Sequence, residues 1–148
     1  MTGLTQREAA TGIPEGFVAV QSSVGFTRHN GGVFVHRELP IVAARIAPEH
    51  LNSLRIVHGG YLATLADSAF GVIFKRQFDL EVPPVTVSLS VDYLGAVREG
   101  EWLEAHVEIL KFGRSFASAS CLLKVGERLV LRASGTFTVW KGAIPRPD

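Results

Sequence analysis

Residues 58–78 read HGGYLATLADSAFGVIFKRQF. The length of the run and its Ala and Leu content favour a helix over a strand across about 58–77. It is apolar almost all round, which implies a helix buried on several sides. Asp67 stands inside it, with Leu62, Ala63, Leu65 and Ala66 before it and Ala69, Phe70, Val72, Ile73 and Phe74 after it. No other charge appears until Lys75. Acids are rarely fully buried without a partner, because stripping water from a carboxylate costs several kcal/mol or more. Asp67 is therefore either held by specific hydrogen bonds or kept for chemistry.

Downstream of this helix everything after Pro83-Pro84 reads as strand. Val85, Val87, Leu89, Val91 and Tyr93 alternate with Thr86, Ser88, Ser90 and Asp92, a period of two. Leu103, Ala105, Val107 and Ile109 alternate with Glu104, His106 and Glu108. A third run covers about 115–125 and a fourth 129–140, joined by a tight turn at Gly126-Glu127. Three strand–turn–strand steps in a row predict an antiparallel meander. Upstream, residues 1 to about 15 read as a short helix or a loose arm. Short strands are expected at 17–26 and 33–36 around the turn-like Arg28–Gly32, and at Ile41–Ile46 between Pro40 and Pro48. One helix followed by a meander suggests an α+β domain whose curved sheet wraps that helix.

The chain of 148 residues fits one domain with a real core. Fifteen Lys and Arg stand against fourteen Asp and Glu, so no basic field calls for nucleic acid. The single cysteine, Cys121, leaves no intrachain disulfide and fits a reducing compartment. No signal-like run opens the sequence and no uncharged stretch reaches membrane-spanning length. A cytoplasmic protein is expected. His29, His36 and His50 have no metal-ligand spacing with one another or with Cys121, so neither a metal nor another cofactor is expected.

His58-Gly59-Gly60 sits where the helix would begin. The first N–H groups of a helix lack intrahelical partners and carry the positive end of its dipole. With no side chain at Gly59, a substrate oxygen could approach those donors as in an oxyanion hole. The plainer alternative is a turn before the helix. Asp67 would supply a base or nucleophile, or else cap a backbone or pair with a core arginine. Gly59 and Asp67 lie roughly 12 Å apart along one helix axis. A reacting carbonyl must lie ~3 Å from both its nucleophile and its oxyanion donors. If both act, they come from different subunits, with helices antiparallel across a two-fold axis.

Asn52, six residues before His58, together with His58-Gly59-Gly60 and Asp67, resembles the signature of the hotdog-fold acyl-CoA thioesterases. The likeness is to their phenylacetic-acid-degradation (PaaI-like) branch, within the 4-hydroxybenzoyl-CoA thioesterase-like superfamily. It continues through Ser88 five residues before Tyr93, Gly113-Arg114, and Gly126 with Ala133–Phe137, covering about 45–140. Residues 1–30 and the loop Ser53–Val57 match less well. The resemblance implies a long helix wrapped by an antiparallel sheet, paired into homodimers and often homotetramers. It also implies hydrolysis of an acyl-CoA thioester, with Asp67 of one subunit facing His58 and Gly59 of the other. In that reading the Gly59 N–H polarises the carbonyl, and Asn52 and His58 position the acyl group or a water. Asp67 then activates that water or attacks directly, with Ser88 orienting it.

Gly60 and Tyr61 follow as substrate-binding candidates. Lys111 and Arg114, flanking Gly113, are candidates for the phosphates of coenzyme A, or simply a charged turn. Phe26, Phe34, Tyr61, Phe70, Phe74 and Phe78 could line an acyl pocket or be core. Two other functions stay open at this point. One is a non-catalytic acyl-CoA-binding protein, the other a hotdog hydratase or dehydratase acting on enoyl thioesters.

Overall fold

The computed structural model describes residues 12–21 and 25–139. Most of the N-terminal arm, Ser22–Val24 of the first apolar run and residue 140 of the last strand lie outside the described residues. The elements are β1 (Phe17–Ala19), α1 (Phe26–His29), β2 (Phe34–His36), β3 (Ile41–Arg45), a 3-10 turn (Pro48–His50), α2 (Gly59–Gln77), β4 (Val85–Tyr93), β5 (Trp102–Phe112), β6 (Phe116–Val125) and β7 (Arg128–Thr138).

α2 is the helix expected over 58–77. His58 caps its start. At its end Asp79 takes a left-handed φ of 49°, and the Leu80 N–H returns 2.9 Å to the Lys75 carbonyl. That is the Schellman closure, and it satisfies a carbonyl the helix would otherwise leave open. Leu65, Phe70, Ile73 and Phe74 are buried against Leu103, Leu123, Leu131 and Phe137 of the sheet. Phe137 meets Phe70 and Phe74 edge-on at 5.2 and 5.1 Å. Burying one such side chain stabilises by about 1.5–3 kcal/mol, so this seam fixes the helix on the sheet.

The seven strands form one antiparallel sheet in the order β1-β2-β3-β5-β6-β7-β4. It curves about α2 in the hotdog arrangement. β5-β6-β7 is a meander, and Gly126, at φ 57°, makes the tight turn between β6 and β7. The expected step from β4 to β5 is different: β4 pairs with β7 and becomes an edge. The segment between β4 and β5 is too structured to be a hairpin. It buries Val97 and accepts the Val57 N–H on the Val97 carbonyl at 2.8 Å.

Two more expectations change. The strand expected over 17–26 is formed by Phe17–Ala19 among the described residues, and a helical turn, Phe26–His29, takes up Phe26 and the first two of the turn-like residues Arg28–Gly32. The alternation of β4 also breaks at a bulge between Thr86 and Ser88. Val85 and Val87 are 53% and 57% exposed, and the half-buried positions are Thr86, Leu89 and Val91. A bulge inserts one residue and so reverses which side chains face inward.

Candidate active site

The approach to α2 is built from short-range hydrogen bonds. Asn52 Oδ1 accepts the Leu54 N–H at 2.9 Å and the Ile56 N–H at 3.4 Å, and the Asn52 N–H donates to Ile56 O at 2.8 Å. Asn52 thus shapes the loop that delivers His58, and its Oδ1 is already committed. The His58 N–H donates to His50 O at 2.8 Å. Buried His50 is in turn fixed, its Nδ1 accepting from the Ala47 N–H at 2.9 Å and its Nε2 lying 2.7 Å from Asn30 O.

His58 Nδ1 accepts the Gly60 N–H at 2.8 Å, a helix N-cap made by an imidazole. That bond places the ring hydrogen on Nε2, which is exposed. It also consumes the Gly60 amide, so the N–H left without a partner among the described residues is that of Gly59. Both glycines leave room that a side chain would crowd. A Cβ at Gly60 would stand 2.9 Å from His58 Nδ1, and one at Gly59 would stand 3.1 Å from the Tyr93 ring. The Tyr93 hydroxyl donates to Gly59 O at 2.8 Å and ties β4 to the start of the helix.

Two turns along α2, half-buried Asp67 accepts the Thr86 hydroxyl on Oδ1 at 2.7 Å. No described cation pairs with it, and no described backbone group is capped by it. Ser88, which the resemblance implies orients Asp67 or the water, is exposed and has no hydrogen bond to Asp67 among the described residues; past the bulge, Thr86 makes that bond. The period-two pattern marks the strand but not the inserted residue, so it does not show that Thr86 reaches Asp67.

Asp67 and His58 border separate cavities. One of about 350 Å3 is lined by Asp67, Ser68, Thr86, Pro83, Pro84 and Val72, among others. Another of about 460 Å3 is lined by His58, Gly60, Tyr61, Thr64, Glu49 and Phe26, among others. Within one chain His58 and Gly60 thus border a different space from Asp67. Lys111 and Arg114 are exposed at the β5–β6 tip and line neither cavity. Phe70 and Phe74 are core, whereas Phe26 is exposed at the mouth of the His58 cavity. Among the described residues no three His, Cys, Asp or Glu side chains converge as a metal site needs.

The wrapped helix makes this a hotdog protein. Within that class the chain belongs to the Thioesterase superfamily, whose family model matches residues 54–134, more than half its length. It is 39% identical over 128 residues to a candidate esterase of Pseudomonas aeruginosa, covering 84% of this chain and 96% of that one. Acyl-coenzyme A thioesterase 13 of Homo sapiens is 26% identical over 123 residues, 81% of this chain and 84% of its own length. Among solved structures, a hypothetical thioesterase of Streptococcus pneumoniae with coenzyme A is 28% identical. Its TM-score is 0.62, over 70% of this chain and 80% of that one. A point mutant of the phenylacetic acid degradation protein PaaI of Thermus thermophilus is also 28% identical, with a TM-score of 0.60 over 66% and 82%.

Proposed function

We propose that the protein hydrolyses an acyl-CoA thioester to the free acid and coenzyme A at sites completed by two subunits. The observation that carries this reading is the division of one helix into an unbonded amide at Gly59, on its first residue, and a hydroxyl-held carboxylate at Asp67, two turns further on. Their axial separation of roughly 12 Å is too long for one carbonyl and suits a second helix running the other way.

In the reaction Asp67 takes a proton from water while the water oxygen adds to the thioester carbon. The carbonyl oxygen gains the charge and is met by the Gly59 N–H at the positive end of α2. Collapse breaks the C–S bond, and the coenzyme A sulfur leaves and is protonated. Direct attack by Asp67, through a mixed anhydride, uses the same geometry. Thr86 holds one carboxylate oxygen and leaves the other for the proton or the carbonyl. The His58 Nε2 and the Asn52 amide nitrogen are the remaining donors for the acyl group or water. Exposed Lys111 and Arg114 are assigned to the coenzyme A phosphates.

Edge strand β4 supports the pairing. Among the described residues nothing pairs with its outer edge, and Val85 and Val87 are exposed, an edge that a second copy would cover. A homodimer joined there, and a homotetramer of such dimers, is the assembly this reading takes. No described helix is long and apolar enough to cross a membrane, and the reading places the protein in the cytoplasm beside its substrate. Thiol release from a panel of acyl-CoAs tests the activity. Turnover lost in Asp67→Asn supports the mechanism, and undiminished turnover removes Asp67 from it.

A further inference from the structure

Two glycines in succession open α2, a start that leaves the backbone freer than any pair of residues with side chains. The bareness that lets an oxygen approach the Gly59 N–H thus also leaves that N–H free to swing. A donor that stabilises developing charge must be aimed before the reaction, so that no reorganisation is needed when the charge appears. The direction of the Gly59 amide has therefore to be set from outside the two glycines.

Two side chains can set it. The peptide joining Gly59 to Gly60 is a rigid plane, and it is gripped at both ends. Its oxygen, Gly59 O, accepts the Tyr93 hydroxyl at 2.8 Å, and its N–H, on Gly60, donates to His58 Nδ1 at 2.8 Å. His58 is the cap residue itself, whereas Tyr93 reaches in from β4, 34 positions along the chain from Gly59. The Tyr93 ring also fills the place of the side chain that Gly59 lacks: its Cε1 and Cζ lie 3.1 and 3.2 Å from where a Cβ would stand.

Stability gives little reason for this bond. Tyr93 is 54% exposed, and water replaces an exposed hydrogen bond at small net cost. β4 also meets α2 at the other functional position, where Thr86 holds Asp67. One strand thus bonds to both groups assigned to the reaction.

We infer that Tyr93 is a positioning residue: its hydroxyl fixes the first peptide planes of α2, so that the Gly59 N–H is aimed before the thioester carbonyl arrives. This rests on the reading of Gly59 as the oxyanion donor. Tyr93 acts through Gly59 and takes no part in proton transfer. Its loss is therefore felt where charge builds on the carbonyl oxygen, not in the binding of substrate.

Tyr93→Phe keeps the ring against Gly59 and removes the hydroxyl. With the best substrate of an acyl-CoA panel, kcat falls about five- to tenfold while KM stays within about twofold, the split that marks a weakened transition-state interaction. The melting temperature stays that of wild type. In Gly59→Pro, which has no N–H to aim, Tyr93→Phe lowers kcat no further. By NMR the Gly60 amide exchanges with solvent faster in Tyr93→Phe, because its bond to His58 has lost the brace on the same plane. An unchanged kcat, a loss confined to KM, or a full further loss on top of Gly59→Pro overturns the inference. So does a fall in activity matched by a fall in melting temperature. If the wild-type chain turns over no acyl-CoA, the hydrolase reading falls and the exchange rate decides the brace alone: faster exchange of Gly60 keeps it, and unchanged exchange removes it.

Discussion

The Thr86 hydroxyl lies 2.7 Å from Asp67 Oδ1, nineteen residues away in sequence, and is the one described side chain that holds the carboxylate. Replacing it tests that relationship. Thr86→Val keeps the shape and removes the donor. It should lower kcat/KM about tenfold, the worth of one hydrogen bond to a charged group. Ser88→Ala, on the exposed side of the bulge, should stay within about twofold. Steady-state kinetics on both variants would show whether the two hydroxyls have been assigned correctly.

Asp67→Asn is nearly isosteric and can still accept the Thr86 hydroxyl. Its kcat should fall by a factor on the order of a hundred or more, while the melting temperature holds or rises. A fall in melting temperature comparable to the loss of activity would mark Asp67 as structural instead.

Gly59→Pro removes the unbonded N–H itself. Proline suits the first position of a helix, and His58, at φ −58° and ψ 132°, already has the extended backbone a residue before proline prefers. The ring must displace Tyr93 by a few tenths of an ångström, since a Cβ there meets it at 3.1 Å. Stability should drop by no more than about 1 kcal/mol in urea titration, whereas kcat should fall on the order of a hundredfold, as when an oxyanion donor is lost.

Alkaline pH should loosen the fold. Burial pushes the Tyr61 phenol from 10.0 and the Cys121 thiol from 9.0, each up to about 12. The folded chain therefore keeps protons that the unfolded chain releases above about 9. The stability linked to these groups is full below pH 9 and is lost as pH rises toward 12, on the order of a few kcal/mol. Urea midpoints from pH 7 to 11 measure it, and Cys121→Ala should flatten the slope. The same burial should leave Cys121 unreactive to thiol reagents in the native protein.

The fold was largely legible because its determinants are local. The composition of 58–77 marked α2 within a residue, and the alternating runs marked β4 to β7. What period two cannot carry is a bulge or a partner. The register shift between Thr86 and Ser88 is invisible to it, and the place of β4 beside β7 depends on long-range pairing. The candidate residues Asn52, His58, Gly59 and Asp67 rest on a resemblance, and their roles belong to the proposed function. That the Gly60 amide is consumed by His58 was not legible, because it depends on a side-chain rotamer at the helix cap. His50 was weighed only as a metal ligand, yet it is the plate on which Tyr61 rests.

Subunit complementation tests the central claim most directly. Asp67→Asn and Gly59→Pro, each inactive alone, are mixed after reversible dissociation. If Gly59 of one chain serves Asp67 of the other, each mixed dimer holds one intact pair. Activity should then return to about a quarter of wild type, since half the dimers are mixed and half their sites are complete. Proven subunit exchange with no recovered activity would contradict the shared site.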